Sequence, residues 1–421
     1  MLQRMRIKGG KKLIGTIPIS GSKNLSLPAM MAAIMTDKPL LLRNVPRLAD
    51  VLSAMDLLNY IGVDVNWADS NSLELRCGSI KTTEAPYDYV RKMRASILTL
   101  GPLVARFKKA SVSLPGGCAI GTRGVDLHIK ALQQLGAEVE VENGYINATA
   151  PDGLRGCDIN FTTPSVTGTE NALMAAALAN GTSRILNAAM EPEVIEFANL
   201  LNMMGANIVG HGSPIITIEG VESVRGASFE IMPDRIEAGT YAIAAVVTSG
   251  RVLLKGCVQD HLSSFLETVR SVGGICEPVA DGILVYREQD EIRPISICTA
   301  QYPGFPTDLQ AQYMVLMTIA NGASSVTENI FENRFMHVPE LCRMGANISV
   351  IGRTATVVGA HELSGAQVMA TDLRASVSLV IAGLVAKGET VVNRLYHLDR
   401  GYENIEDKLN NCGAEVERLN V

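Results

Sequence analysis

Two helical patterns of apolar and polar residues alternate along this chain. In the first, apolar residues recur at every third or fourth position, as in the stretch that starts at Val51 and continues through Met55 and Leu58. This spacing is typical of a helix that buries one face. In the second, a polar start leads into a stretch that is rich in Ala and almost wholly apolar. A helix that is apolar on every side must be surrounded by protein, so this pattern predicts central helices.

The central-helix pattern occurs six times. Its copies begin at Ser22-Lys23-Asn24, Arg94-Ala-Ser, Thr169-Glu170-Asn171, Ile236-Glu237-Ala, Thr307-Asp308-Leu and Asp372-Leu-Arg374. Each copy is accompanied by an amphipathic helix and several short strands. A glycine followed by a strand also recurs, at Gly62, Gly136, Gly205, Gly273, Gly345 and Gly413.

The six glycines define the length of a repeat. They lie 74, 69, 68, 72 and 68 residues apart, so the repeating unit fills the chain. Each glycine predicts a left-handed cap that ends a helix before a strand begins. We therefore expect an α/β fold of six repeats of about 70 residues, divided into two lobes of three, with helices inside and sheets outside.

The starts of the central helices carry candidate binding groups. If these helices run parallel, their N-termini converge, and each contributes unpaired N–H groups and a partial positive charge. A cleft between two such lobes would attract phosphates. The residues at these starts or on nearby loops are Lys23, Asn24, Arg94, Asp308, Arg374, Arg123, Arg334 and Arg400. So many cations predict one or two strongly anionic ligands.

Composition excludes several other classes. The chain has 421 residues and a net charge of −6 without a long basic run, which argues against nucleic acid or an anionic membrane as partner. It has no signal-like start and no apolar stretch long enough to span a bilayer, so we expect a cytoplasmic protein. Eight scattered cysteines without a Cys-x-x-Cys pair speak against structural zinc and against a disulfide scaffold.

One cysteine lies in a segment suited to chemistry. Cys118 follows Pro115-Gly-Gly117 and precedes Gly121 and Arg123. Glycines allow the backbone to approach a ligand closely, and a nearby cation favours the thiolate. The alternative is that Cys118 is a small buried apolar residue, as many free cysteines are.

Six motifs in order carry a specific family resemblance. They are Gly21-Ser-Lys-Asn24, Pro115-Gly-Gly-Cys118 continuing to Arg123, Pro303-Gly-Phe-Pro-Thr-Asp308, Phe331-Glu-Asn-Arg334 continuing to Glu340, Ala370-Thr-Asp-Leu-Arg374 and Asp399-Arg400-Gly-Tyr-Glu403. Over essentially its whole length the chain resembles the enolpyruvyl transferases, and within them the branch that acts on UDP-N-acetylglucosamine. The resemblance implies a two-domain inside-out α/β barrel, with residues 22–232 in one lobe and 1–21 plus 233–421 in the other.

The resemblance also implies a reaction. Phosphoenolpyruvate and UDP-N-acetylglucosamine would give the 3-O-enolpyruvyl sugar nucleotide and phosphate by addition and elimination, opening peptidoglycan synthesis. This chemistry needs an acid and a base but neither a metal nor a bound cofactor. A monomer is expected. In this family the loop cysteine is also the site of alkylation by fosfomycin.

Residue roles follow by the same resemblance. Cys118 is the expected proton donor and Asp308 the expected base. The phosphoenolpyruvate site comprises Lys23, Asn24, Arg123, Arg374 and Arg400. The UDP-N-acetylglucosamine site comprises Arg94, Arg123, Gly124, Val125, Asp126, Leu127, Ser165, Val166, Asp308 and Ile330. Arg334 is a supporting residue, interpreted as pairing with an acid across the lobes. His128 and Glu170 receive no role.

Three alternatives remain at the level of sequence. A shikimate-pathway enolpyruvyl transferase would lack the loop cysteine, and its Gly-Asn-Ala-Gly-Thr motif is absent here, where Arg94-Ala-Ser occupies the corresponding position. A thiol redox protein would need a second cysteine near Cys118, and none is close in sequence. A non-catalytic UDP-sugar sensor would be expected to lose Cys118 or Asp308, and both are present.

Overall fold

A computed structural model describes residues 3–116, 124–359 and 362–420. The chain divides into two compact units. The first unit contains the described residues from Gly21 to Met232, and the second contains those up to Ser20 together with those from Pro233 onward. Each unit has its own apolar core.

The described residues form thirteen α-helices. They are α1 (Lys23–Met31), α2 (Ala49–Ile61), α3 (Tyr87–Val90), α4 (Leu100–Phe107), α5 (Asp126–Gln134), α6 (Val166–Ala177), α7 (Pro192–Met203), α8 (Arg235–Val247), α9 (Ser263–Ser271), α10 (Gln310–Thr318), α11 (Val338–Arg343), α12 (Leu373–Val385) and α13 (Ile405–Asn410). Five 3₁₀ segments cover Ala32–Met35, Arg94–Thr99, Gln259–Leu262, Thr307–Leu309 and Leu395–Arg400.

The same residues contain twenty-four strands. They are β1 (Gln3–Lys8), β2 (Ile14–Pro18), β3 (Leu40–Arg43), β4 (Asp64–Trp67), β5 (Leu73–Arg76), β6 (Glu84–Ala85), β7 (Lys109–Ser113), β8 (Glu138–Glu142), β9 (Tyr145–Thr149), β10 (Asp158–Asn160), β11 (Thr182–Leu186), β12 (Asn207–Val209), β13 (Ile215–Glu219), β14 (Ser228–Glu230), β15 (Arg251–Lys255), β16 (Ile275–Val279), β17 (Gly282–Tyr286), β18 (Ile297–Cys298), β19 (Ala323–Thr327), β20 (Asn347–Ile351), β21 (Thr354–Val358), β22 (Gln367–Met369), β23 (Glu389–Asn393) and β24 (Glu415–Asn420).

These strands make six four-stranded sheets with one shared topology. The sheet orders are β14-β3-β5-β4, β6-β7-β9-β8 and β10-β11-β13-β12 in the first unit, and β2-β15-β17-β16, β18-β19-β21-β20 and β22-β23-β1-β24 in the second. In every sheet the first pair is parallel and the next two are antiparallel. The predicted six-repeat α/β fold is confirmed.

The repeat glycines end helices as the sequence predicted. Gly62, Gly136, Gly205, Gly273, Gly345 and Gly413 have φ angles between 92° and 115°. A residue with a Cβ is strained there, whereas glycine is not. The glycine after each outer helix therefore marks the point where the chain turns into the next strand.

The central helices are enclosed by their unit. All thirteen residues of α8 and all nine of α10 are buried. α12 is buried from Arg374 to Leu384. Because these helices have no exposed face, polar residues in their first turns must find partners inside the unit.

Two predicted helix starts were displaced. The third central helix begins at Val166, three residues before the predicted start at Thr169, because the Ser165 hydroxyl accepts the Gly168 N–H and caps the helix there. Arg94 begins a 3₁₀ segment, and the α-helix that follows starts only at Leu100.

The first eighteen described residues belong to the second unit through strand pairing. β1 lies between β23 and β24, and β2 pairs in parallel with β15. The chain thus starts in the second unit, forms the first, and returns. No helix in the described ranges is long and apolar enough to cross a bilayer.

A buried ion pair holds the end of the N-terminal segment. Lys408 Nζ lies 2.6 Å from Glu237 Oε1 and 2.7 Å from the Ser20 hydroxyl oxygen, and the Ser20 N–H donates to Glu237 Oε2 at 2.7 Å. Burial raises the pKa of Glu237, and Lys408 opposes this rise. Lys408 therefore offsets part of the cost of burying the Glu237 carboxylate.

Replacing Lys408 should destabilise the protein in a pH-dependent way. Lys408→Met leaves the buried Glu237 without its cation, which typically costs about 3–5 kcal/mol. A raised folded-state pKa means that the folded protein binds more protons than the unfolded chain, so stability falls as pH rises through that range. Urea unfolding should show a larger deficit at about pH 8 than at about pH 5, and a deficit independent of pH would contradict this account.

Candidate active site

Asp308 lies between two buried arginines in the second unit. It occupies the 3₁₀ turn that leads into α10. Arg334 Nη2 donates to Asp308 Oδ1 at 2.7 Å, and Arg374 Nε donates to Oδ2 at 3.2 Å. The Asp308 side chain is 26% exposed, whereas those of Arg334 and Arg374 are 7% and 3% exposed. The carboxylate is thus fixed in orientation and still reachable from outside.

Arg374 is held by the start of its own helix and by a tyrosine. Asp372 caps α12 by accepting the N–H groups of Arg374 and Ala375. The Arg374 Nη1 donates to the Tyr402 hydroxyl at 3.2 Å. Burial works against the charged form, but Tyr402 and Asp308 raise the pKa of Arg374 overall. Arg374 is therefore a permanent cation with a fixed direction.

The first turns of the three central helices of this unit lie together. Gln312 Nε2 in α10 donates to the Thr240 hydroxyl of α8 at 3.1 Å, and that hydroxyl is 2.9 Å from the Tyr402 hydroxyl. Arg374 in α12 contacts both Tyr402 and Asp308. The N-terminal parts of α8, α10 and α12 therefore lie close together in this unit.

Arg334 pairs within its own unit. Its Nη2 lies 2.7 Å from Asp308 Oδ1 of the same unit, whereas the pairing across the lobes expected from the sequence stays a prediction. Its Nη1 also donates to the Thr307 hydroxyl at 2.8 Å. The close sequence spacing of Thr307 and Asp308 lets one guanidinium bind both.

The loop after β19 contains a buried carboxylate that the sequence analysis missed. Glu328 is fully buried and accepts from the Thr299 and Thr307 hydroxyls, each at 2.8 Å. It also accepts the backbone N–H groups of Ile330 and Phe331 at 2.8 and 3.1 Å. No periodicity marks such a residue, and its only sequence signal is a position just before the Phe331–Arg334 motif.

Arg400 is the last residue of the 3₁₀ segment Leu395–Arg400, which precedes Tyr402. It is partly buried and lies two residues before Tyr402. Its neighbour Asp399 is bound by Arg418, whose Nη2 lies 2.8 Å from Asp399 Oδ1. The same arginine also pairs with Glu406 at 2.7 Å. These ion pairs anchor the segment that carries Arg400.

In the first unit, Lys23 and Asn24 occupy the first turn of α1. The Ser22 hydroxyl caps this helix by accepting the Leu25 N–H. Lys23 Nζ lies 3.0 Å from Asp50 Oδ2, with the Lys23 side chain 12% exposed. Asn24 is partly buried. The predicted phosphate-binding lysine thus has a resident carboxylate partner in this structure.

The segments expected to bind the sugar nucleotide are joined by side chains. Arg94 Nη2 donates to the Gly124 carbonyl at 3.2 Å. Val125, Asp126 and Leu127 continue from Gly124 into α5. Ser165 and Val166 form the start of α6. Ile330 lies in the second unit, where its N–H is bound by Glu328.

His128 connects the two helices of this group. Its Nδ1 is 3.1 Å from Asn171 Nδ2, and its Nε2 is 3.3 Å from the Thr167 hydroxyl. Asn171 Oδ1 accepts the Gly101 N–H at 2.8 Å, which fixes the amide so that Nδ2 faces the imidazole as a donor. His128 Nδ1 is therefore an acceptor, and the ring is the neutral Nε2–H tautomer. His128 thus holds α5 against α6.

Cys118 and Arg123 lie outside the described residues, as does the rest of 117–123. Arg47 has a structural role: its guanidinium stacks on Trp67 at 4.0 Å and donates to the Ser70 carbonyl at 2.7 Å. In the described part of the chain, no group of three or more His, Cys, Asp or Glu side chains is arranged to hold a metal ion.

His337 is a buried imidazole beside this site. It is 1% exposed and belongs to the segment that follows Arg334. Burial lowers the pKa of His337 to about 4; Asp372 opposes the shift and Arg334 adds to it. The ring is therefore neutral in the folded protein at neutral pH.

His337 should make the folded state sensitive to acid. Between about pH 6.5 and pH 4 the unfolded chain binds more protons at this position, so stability falls as pH falls, by up to about 3 kcal/mol. Urea unfolding of His337→Gln should show a weaker loss than the native sequence over this range. Equal losses for the two proteins would refute the assignment.

Comparison with known proteins shows which proteins this chain resembles. The family model described as EPSP synthase (3-phosphoshikimate 1-carboxyvinyltransferase) matches residues 7–409. Proteins named UDP-N-acetylglucosamine 1-carboxyvinyltransferase from Afipia carboxidovorans and Granulibacter bethesdensis are each 55% identical, over 99% of this chain and 100% of theirs.

Solved structures share the fold. The enolpyruvyl transferase NikO from Streptomyces tendae has a TM-score of 0.89 at 23% identity, covering 100% of this chain and 99% of that one. EPSP synthase from Acinetobacter baumannii has a TM-score of 0.75 at 16% identity, covering 100% of both chains. The shared fold, the full-length relatives and the family match agree, and this chain belongs to the enolpyruvyl transferase family.

Proposed function

We propose that this enzyme transfers the enolpyruvyl group of phosphoenolpyruvate to the 3-hydroxyl of UDP-N-acetylglucosamine and releases phosphate, as the committed step of peptidoglycan synthesis. The observation that carries the proposal is the Asp308 carboxylate, oriented by two buried arginines and accessible from one side. Full-length relatives at 55% identity that carry the corresponding name support the choice of sugar nucleotide.

The reaction requires two proton transfers in the addition and one in the elimination. In the addition, the 3-hydroxyl loses a proton as its oxygen bonds to C2 of phosphoenolpyruvate, and C3 gains a proton to become a methyl group. In the elimination, the C2–O bond to phosphate breaks with its electron pair, and the methyl group loses a proton to restore the double bond. A base near the hydroxyl and an acid near C3 are therefore needed.

Asp308 is the proposed base for the sugar hydroxyl. A carboxylate has about four acceptor positions on its two oxygens. Arg334 donates to Oδ1 and Arg374 to Oδ2, while the side chain is 26% exposed, so a hydroxyl can reach the oriented carboxylate. Since both arginines are fixed by buried partners, the carboxylate needs little reorganisation when the hydroxyl arrives.

Cations at the helix starts are the proposed phosphoenolpyruvate site. Lys23, Asn24, Arg123, Arg374 and Arg400 would bind its phosphate and carboxylate. The planar guanidinium grips two oxygens at once, which suits both groups. The Lys23–Asp50 pair supports this role, because a lysine oriented by a buried carboxylate is already partly stripped of water.

The sugar nucleotide would lie along Arg94, the 123–127 segment, Ser165, Val166, Asp308 and Ile330. The Arg94–Gly124 hydrogen bond and the His128 link between α5 and α6 support this set, because they hold its members in the first unit together. We further propose that the first unit carries Cys118 as proton donor to C3 and the second carries Asp308, in a cytoplasmic monomer that fosfomycin alkylates at Cys118.

The proposal is tested by phosphate release with each substrate alone and with both. Release should require phosphoenolpyruvate and UDP-N-acetylglucosamine together. Replacing the second substrate by shikimate 3-phosphate tests the other branch of the family. Release with shikimate 3-phosphate and none with UDP-N-acetylglucosamine would overturn the proposal.

Variants of Cys118 separate an acid from a packing residue. Cys118→Ser keeps the size but is a far weaker acid, so turnover should fall by about 10²-fold or more, whereas Cys118→Asp restores an ionisable donor and should retain clearly more activity. Cys118→Asp should also resist fosfomycin. Full activity in Cys118→Ser, at an unchanged melting temperature, would remove Cys118 from the mechanism.

A further inference from the structure

We infer that Glu328 is a positioning residue that aligns the base Asp308 with the loop that contacts the sugar nucleotide. This inference rests on the proposed function. Glu328 contacts no proposed ligand group itself. It acts through the loop that its Oε1 binds and through Thr307, which its Oε2 binds.

The first oxygen fixes the loop. Glu328 Oε1 accepts the N–H groups of Ile330 and Phe331 and the hydroxyl of Thr299. Thr299 Oγ1 in turn accepts the Asn329 N–H at 2.9 Å. Three successive backbone N–H groups are therefore bound by buried side chains, which leaves the loop that carries Ile330 with one backbone conformation.

The second oxygen fixes the base. Glu328 Oε2 accepts the Thr307 hydroxyl, so the hydroxyl hydrogen points at Glu328 and its lone pairs face Arg334. Arg334 Nη1 donates to the Thr307 hydroxyl oxygen at 2.8 Å, and Arg334 Nη2 donates to Asp308 Oδ1 at 2.7 Å. The donor and the acceptor of each hydrogen bond from Glu328 through Thr307 and Arg334 to Asp308 are fixed, because a carboxylate only accepts and a guanidinium only donates.

Because each donor and acceptor is fixed, replacing Glu328 by glutamine has a defined effect on each hydrogen bond. In Glu328→Gln the amide oxygen can still accept from the loop, but the amide nitrogen must then face Thr307 as a donor. The Thr307 oxygen would meet two donors, and its own hydrogen would lose its acceptor. The loop should survive, while the Thr307–Arg334–Asp308 chain is disturbed.

The expected result is a split between kinetic constants. Loss of one buried hydrogen bond to a charged group corresponds to about tenfold in rate, so Glu328→Gln should lower kcat by about tenfold. The KM for UDP-N-acetylglucosamine should stay within about threefold. Thr307→Val, which deletes the hydroxyl at similar shape, should give a similar fall in kcat, and Thr307→Ser should restore most of it.

The double variant provides the second readout. If Glu328 acts through Thr307, Glu328→Gln combined with Thr307→Val should be no more than about twofold worse than the poorer single variant. Two independent structural defects would instead multiply to about a hundredfold. That multiplication, or an unchanged kcat in Glu328→Gln, would overturn the inference.

Glu340→Gln is the matched control. Glu340 is a buried carboxylate of the same unit that accepts the Met369 N–H at 3.0 Å and lies 3.7 Å from Arg343 Nε. It should leave kcat unchanged, and an equal loss there would show that any buried carboxylate in this unit has the same effect. If the native protein releases no phosphate in the presence of both substrates, the proposed function itself is wrong. If the native protein turns over normally and Glu328→Gln has the same kcat, only the positioning role of Glu328 is wrong.

Discussion

The Asp308 carboxylate between two buried arginines is the interaction on which the site depends. Arg334 and Arg374 are nearly removed from water, and a buried guanidinium without an anion is strongly destabilising. Asp308 supplies that anion, and its side chain remains 26% exposed. An accessible carboxylate held between cations suits the proposed reaction, in which the substrates are anions and a hydroxyl loses a proton.

The fold explains why such a cluster can exist. The central helices are largely apolar and enclosed by their unit, so the polar groups that they carry must be satisfied inside it. Their N-terminal parts meet in the second unit, where Thr240, Gln312, Arg374 and Tyr402 bind one another. Glu328 extends this network to the next loop. Buried polar networks that are satisfied in this way hold a single geometry, which is what positioning a base requires.

The sequence predicted the repeats well because each copy repeats the same physical demands. A glycine with positive φ after a helix and an apolar central helix recur six times, and the topology of the sheets follows from them. The start of α6 was misplaced because a single serine cap outweighs the apolar pattern. Glu328, Tyr402 and Thr240 escaped notice because a buried polar contact between residues distant in sequence leaves no periodic signal. Arg334 was recognised, but its contact with Asp308 was not, since sequence spacing does not tell which acid a guanidinium meets.

The central claim is that Asp308 accepts the proton of the sugar hydroxyl, and Asp308→Asn tests it most directly. The variant keeps the shape but removes the basic oxygen. Single-turnover phosphate release, with UDP-N-acetylglucosamine binding followed in parallel by calorimetry, separates chemistry from binding. We predict that the sugar nucleotide still binds and that phosphate release slows by about 10²–10⁴-fold. Release at the native rate with binding intact would contradict the assignment of Asp308 as the base.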